Sequence, residues 1–189
     1  MKNTIKHYKY ILFDWDGTLV KTLDIWLEAY KEMCQKYNID ISRLTDLEIV
    51  EKAFGKFAKG FENLGFKNPQ EACDEVWALV DERVKNVGTY SNVKEVLEKL
   101  NTSDKRMAVH TSSNRNMLYP AIVNNDLEKH FDIILARDDV KNGKPDPEVI
   151  FKEIEYLKAK PDECLIIGDS DGDIKTGKNA GVDTVLFYP

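Results

Sequence analysis

The sequence predicts an α/β protein: a parallel sheet with helices on both faces, and a small all-helical domain inserted after the first strand. Two observations predict it. Apolar runs of strand length alternate with amphipathic stretches of helix length, and such alternation builds parallel sheets through helical crossovers. Between the first apolar run and the second, however, residues 20–87 carry helical periodicity almost throughout.

In chain order, the first strand is Tyr10 to Asp14, an apolar run that ends in a carboxylate. The inserted stretch follows. In it Ile25, Trp26, Ala29, Met33 and Tyr37 fall on one helical face, and Cys73, Val76, Trp77, Val80 and Val84 form a second stripe. Strands resume at Met107 to His110, Ile133 to Ala136, Cys164 to Gly168 and Thr184 to Phe187. Asp146 can cap a helix that starts at Pro147, with Val149, Ile150, Ile154 and Leu157 as its buried stripe. Gly181 is a natural stop for the helix after Asp173. The core is thus discontinuous, 1–19 and 88–189, and residues 20–87 form a helical cap. Ligands of open α/β sheets sit at the carboxyl ends of the strands, so a cap inserted there is expected to cover the active site.

Asp14 and Asp16 stand one residue apart at the mouth of the first strand, followed by Gly17 and Thr18. Like charges there repel and lose hydration, so the pair points to a cation or to proton transfer. Alternate side chains of an extended chain share a face, which aims both carboxylates at one spot. Later segments supply matching parts. Thr111, Ser112, Ser113 and Asn114 follow the second strand, Lys144 lies in Gly143 to Pro147, and Asp169, Asp171 and Asp173 follow the strand ending at Gly168. Carboxylates, hydroxyls and a lysine are the parts that phosphoryl transfer needs.

In this order the four segments resemble the four motifs of the haloacid dehalogenase-like hydrolase superfamily, over essentially the whole chain. Asp14-Trp15-Asp16-Gly17-Thr18 is similar to the first motif, Thr111 to the second, Lys144 to the third, and Gly168-Asp169-Ser170-Asp171-Gly172-Asp173 to the fourth. The place of the insertion resembles the phosphoglycolate phosphatase and beta-phosphoglucomutase branch, which implies a Rossmann-like core with the Asp14 strand between those of Thr111 and Asp169. The resemblance further implies a magnesium-dependent phosphatase of a small phosphorylated metabolite. Asp14 would attack phosphorus and become an aspartyl phosphate; Asp16 would protonate the leaving oxygen and then take a proton from the attacking water. The second carboxylate matters because the dehalogenase branch lacks it. Mg2+ would be held by Asp14, Asp169 and the Asp16 carbonyl, with Asp173 orienting a metal water or Lys144. Thr111 would hold phosphoryl oxygens and Lys144 would offset their charge. Thr18, Ser112 and Asn114 are further candidate substrate contacts, whereas Asp171 reads as solvated. Gly55, flanked by Lys52, Lys56 and Lys59, resembles the cap loop that selects substrates, which makes Lys56 the cap's candidate contact. Two departures stand out: Lys21 replaces a common acidic residue, and Ser91-Asn92 replaces the usual Pro-Gly between cap and core.

A net charge of -6 argues against nucleic acid or an anionic membrane as partner. No apolar run approaches the roughly 20 residues that span a bilayer. The polar start, Met1 to Lys9, carries no signal-peptide pattern. Cys34, Cys73 and Cys164 lack metal or redox spacing and read as reduced core thiols of a cytoplasmic protein; a monomer or weak dimer is expected. A mutase of the beta-phosphoglucomutase type would share every catalytic residue, and a phosphonoacetaldehyde hydrolase would add a Schiff-base lysine in the cap. A receiver-like signalling domain also joins an aspartate, a hydroxyl and a lysine, but has neither this strand position nor a cap. Gly172 to Asn179 nearly spells a P-loop, yet Asn179 stands where a hydroxyl must bind magnesium. His110 precedes Thr111 on a strand, so it faces the other side and reads as a core histidine. Trp26 and Trp77 read as the core of the cap.

Overall fold

The computed structural model describes residues 7–54 and 56–188; the polar start up to Lys6 and Gly55 of the expected cap loop lie outside them. Two compact units emerge, Met1–Lys21 with Gly88–Pro189, and Thr22–Val87. The second is helical, with α1 (Thr22–Lys36), α2 (Asp46–Ala53), α3 (Phe57–Leu64) and α4 (Pro69–Val84). Along α1 the buried stripe is Trp26, Ala29, Tyr30, Met33 and Cys34. Ile25 and Tyr37, expected in that stripe, are only half-buried, because the stripe turns through Tyr30 and Cys34 instead. Trp26 meets Trp77 edge-on with ring centres 4.8 Å apart, so both rings build this unit's own core. A side chain at Gly60 would put its Cβ 2.4 Å from the Ala53 carbonyl oxygen, so the glycine is what lets α3 close on α2.

The first unit holds the sheet. Its strands are β1 (Tyr10–Asp14), β2 (Arg106–His110), β3 (Ile133–Leu135), β4 (Cys164–Gly168) and β5 (Asp183–Leu186), all parallel, in the order β3-β2-β1-β4-β5. The expected place of the Asp14 strand, between those leading to Thr111 and Asp169, is the observed one. From β1 the chain steps outward to β2 and β3 through α5 (Val93–Asn101) and α6 (Arg115–Asn124). It then crosses back to β4 and β5 through α7 (Glu148–Leu157) and α8 (Asp171–Ala180). Right-handed crossovers put the two pairs of helices on opposite faces. On one face Leu12, Ala108, Leu135 and Ile166 pack with Val149, Ile150 and Leu157 of α7 and Ala180 of α8. The alternate residues Ile11, Phe13, Met107, Val109 and Leu165 are just as buried on the other. Each such side chain contributes about 1.5–3 kcal/mol when fully buried.

Local chemistry sets the ends of these elements. α7 begins at Glu148, one residue later than expected, and Asp146 Oδ1 still accepts the Glu148 N–H at 3.0 Å. Its buried residues are Val149, Ile150, Glu153 and Leu157, while Ile154 is half-buried, so a glutamate occupies the stripe. α8 ends at Gly181 with φ 69°, as its sequence predicts. Asn92, in place of the usual glycine, takes φ 66° before α5, a conformation that asparagine tolerates better than most residues. The chain leaves and re-enters the sheet unit side by side: Val20 bridges Thr89, and the Tyr90 N–H reaches the Leu19 carbonyl at 3.0 Å. All three cysteines are buried and free. Burial pushes the Cys34 thiol up to about 11 and Cys164 up to about 12. Among the described residues no helix is long and apolar enough to cross a membrane.

Candidate active site

β1 delivers Asp14 to the carboxyl edge of the sheet, where the residue is only 4 % exposed. Asp14 Oδ2 accepts the Thr18 hydroxyl at 3.2 Å, and Oδ1 accepts the ammonium of Lys144. The same ammonium reaches Asp173 Oδ1 at 2.6 Å, so Lys144 bridges two buried carboxylates. Asp173 is held from behind by the first turn of α8, where Ser170 gives its Oδ2 a hydroxyl bond at 2.6 Å and a backbone N–H at 3.1 Å. Lys144 itself sits on the loop before α7, joined by a cis peptide to Pro145, whose carbonyl accepts from Asn179 at 2.9 Å.

Asp16 has different neighbours. Its Oδ2 accepts the hydroxyls of Thr111 and of Ser113, the latter at 2.9 Å, and the Ser113 N–H in turn reaches Thr111 Oγ1 at 2.8 Å. Just after Asp16, Gly17 turns at φ 76°, where a Cβ would lie 2.2 Å from Asp169 Oδ2. Glycine is needed there for the backbone and for space alike. A Cβ on Gly168 would likewise lie 2.4 Å from Asp173 Cγ.

The charges do not balance. Burial drives the Asp14 carboxyl well above the usual range; Lys144 opposes the shift, while Asp173, Asp16 and Asp169 add to it. Asp169 is pushed up to about 6, by burial first and then by Asp173. Burial also works against the Lys144 ammonium, but Asp14 and Asp173 outweigh it and raise its pKa. Burial opposes the charge of Asp173 too, yet Lys144 and Ser170 bring its carboxyl below the usual value. One ammonium, bonded to Asp14 and Asp173, thus stands among four carboxylates, and both Asp14 and Asp169 are shifted up. A hard divalent cation fits this donor set, since every candidate ligand atom is an oxygen. Oxygens of Asp14 and Asp173 and a ring nitrogen of His110 also lie within 4.8 Å of one another, but the first two already share the Lys144 ammonium.

The structure therefore gathers Asp14, Asp16, Thr18, Thr111, Lys144 and Asp173, with Asp169 beside Gly17. Thr18 spends its hydroxyl on Asp14 rather than on open space. Ser112 and Asn114 are exposed, and it is Ser113 that touches Asp16. Lys56, exposed, donates to the Glu51 carbonyl within its own unit. His110 is buried as expected, yet it shares Asp14's face of the sheet, because the two residues are register partners at the ends of β1 and β2. Its Nδ1 lies 3.1 Å from Glu153, which no exposed surface reaches. The missed signal was Glu153 itself, three residues after Ile150 and four before Leu157 on an apolar stripe.

Comparison with known proteins identifies the family. The family model for haloacid dehalogenase-like hydrolases matches residues 11–187. A phosphorylated carbohydrates phosphatase of Thermotoga maritima is 27% identical over 93% of this chain and 82% of its own. The pyrophosphatase PpaX of Bacillus cereus is 30% identical over 92% of this chain and 80% of its own. The crystal structure of a predicted phosphoglycolate phosphatase from Haemophilus somnus shares the fold, with a TM-score of 0.78, 21% identity and coverage of 95% of this chain and 85% of that one. Four motif segments brought to one sheet edge, and a family model that spans nearly the whole chain, make this protein a member of the haloacid dehalogenase-like hydrolases, of their phosphatase kind.

Proposed function

We propose that the protein hydrolyses a small phosphorylated metabolite with the help of magnesium, through an aspartyl phosphate on Asp14. The observation that carries the reading is the contrast between two carboxylates on one strand end: Asp14 faces an ammonium, Asp16 faces two hydroxyls. Environments that differ in this way separate a nucleophile from an acid. Lys144 opposes the burial that raises the Asp14 carboxyl, and a cation bound beside it would further favour the ionised Asp14 that must attack phosphorus. Thr111 and Ser113 hold Asp16 by hydrogen bonds without adding a charge, leaving it to give a proton to the leaving oxygen and later to take one from water. Asp14, Asp169 and the Asp16 carbonyl would hold the cation, with Asp173 keeping Lys144 in place. Bound magnesium supplies positive charge to the phosphoryl oxygens. Residues 1–19 and 88–189 act as the catalytic core; residues 20–87 select the substrate, with Lys56 as a candidate contact.

The test is Asp14→Asn. With a generic aryl phosphate and magnesium, the variant is expected to lose all measurable turnover while keeping its circular dichroism, because an amide is a poor nucleophile. Retention of more than a few per cent activity in a clean preparation refutes the role. A screen over phosphorylated sugars and pyrophosphate then identifies the substrate class, starting from what the two relatives are named for.

A further inference from the structure

Glu153 is wholly buried in the apolar stripe of α7, and both of its carboxylate oxygens lie within reach of His110 Nδ1, at 3.1 and 3.2 Å. A buried carboxylate with no partner is costly, so this contact fixes where the imidazole ring can sit. His110 is 1 % exposed, stands in register with Asp14 on the neighbouring strand, and brings a ring nitrogen within 4.8 Å of carboxylate oxygens of both Asp14 and Asp173. Its backbone carbonyl also accepts the N–H of Trp15 at 3.0 Å, tying it to the residue between the two motif carboxylates. The ring is thus part of the floor on which the Asp14, Lys144 and Asp173 bridge rests. Neither His110 nor Glu153 takes part in the proposed chemistry itself.

We propose that His110, anchored by Glu153, is a positioning residue for phosphoryl transfer: it keeps Asp14 and Asp173 at the spacing that Lys144 bridges. The proposal rests on Asp14 being the nucleophile. Its physical basis is that Lys144 must serve the phosphoryl group as well as the two carboxylates. When the ammonium turns toward substrate, Asp14 and Asp173 lose part of what holds them together, and the imidazole beneath them keeps its place because Glu153 is buried and paired. A purely structural pair would behave differently, since a buried polar pair can be replaced by well-packed apolar residues at little or no cost in stability.

That contrast supplies the experiment. In the full-length protein, His110→Val with Glu153→Leu replaces the pair by an apolar contact of the kind that surrounds it. We expect kcat for an aryl phosphate to fall by about 10- to 100-fold, the usual loss when groups that orient active-site ligands are removed, with KM and the melting temperature little changed. Glu153→Leu alone leaves the imidazole without its anchor and is expected to lower kcat in the same direction. Glu153→Gln, which keeps an acceptor for Nδ1, is expected to recover most of that loss. Wild-type kcat in the folded double variant overturns the proposal; should the double variant not fold, wild-type kcat in Glu153→Leu does so. A wild-type protein inactive toward every phosphate ester tested removes the catalytic reading itself, a result distinct from active wild type with equally active variants.

Discussion

Asp14 and Asp16 share a strand end and a chemical type, and their partners separate them. Asp14 is buried against an ammonium, while Asp16 takes its bonds from Thr111 and Ser113. If Asp16 is the acid, its removal should hurt most where the leaving group needs a proton. Asp16→Ala is expected to slow turnover of alkyl phosphates by about 10²- to 10⁴-fold, the range of general acid-base catalysis. Formation of the phosphoenzyme from an aryl phosphate, whose leaving group needs little protonation, should suffer much less. Equal losses in that first step for both substrates, read by rapid quench, would count against the assignment.

At the scale of elements, the turn after β1 and the start of α8 bring four carboxylates together by leaving out side chains. Gly17 has both a positive φ and Asp169 at its back; Gly65, at the end of α3, also has a positive φ, 99°, but nothing within 4 Å of a Cβ. The two glycines should therefore respond differently to alanine. Gly17→Ala has to displace Asp169 or the turn, and a misplacement of about 1 Å at a reacting centre costs about 100-fold in rate. Gly65→Ala is expected to cost about 1 kcal/mol of stability through backbone strain and to leave kcat alone. Activity and thermal melts on the two variants check the contrast, which fails if Gly17→Ala turns over like wild type.

Across the whole molecule, the excess of buried negative charge links the site to stability. Asp169, pushed up to about 6 by burial and then Asp173, binds a proton in the folded protein between that pH and the ordinary carboxyl value of 3.8, where the unfolded chain has released it. Its contribution to the stability of the metal-free protein therefore falls as pH rises through that window, and Asp14, shifted in the same direction, adds to the fall. A cation at the site should reverse this. Magnesium is expected to raise the melting temperature more near pH 7.5 than near pH 5, and Asp169→Asn should flatten both the pH dependence and the magnesium response. Equal magnesium shifts at the two pH values would sink the assignment of the deficit to a metal. The helical unit invites a separate comparison: Lys144→Ala should depress kcat for every substrate alike, whereas Lys56→Ala should raise KM chiefly for an anionic natural substrate. Matching kinetic profiles for the two variants would remove Lys56 from substrate selection.

Much of this protein was legible in the chain itself, because strands, caps and turns are set by neighbours a few residues apart. The apolar run before Asp14, the Gly181 stop of α8 and the helical spacing between residues 20 and 87 needed nothing more. The order of the motif segments was legible in the same way. Partner choice was not. Lys144 meets Asp14 across 130 residues and His110 meets Glu153 across 43, and such pairings follow from which strands adjoin and which face each residue takes. Spacing alone could not separate Ser112 from Ser113, since a turn between strand and helix decides which hydroxyl points at Asp16. His110 shows the limit most clearly: alternation rightly set it apart from Thr111, yet the parallel register of β1 and β2 put it on Asp14's own face, and only the return of α7 across the sheet brought Glu153 to meet it.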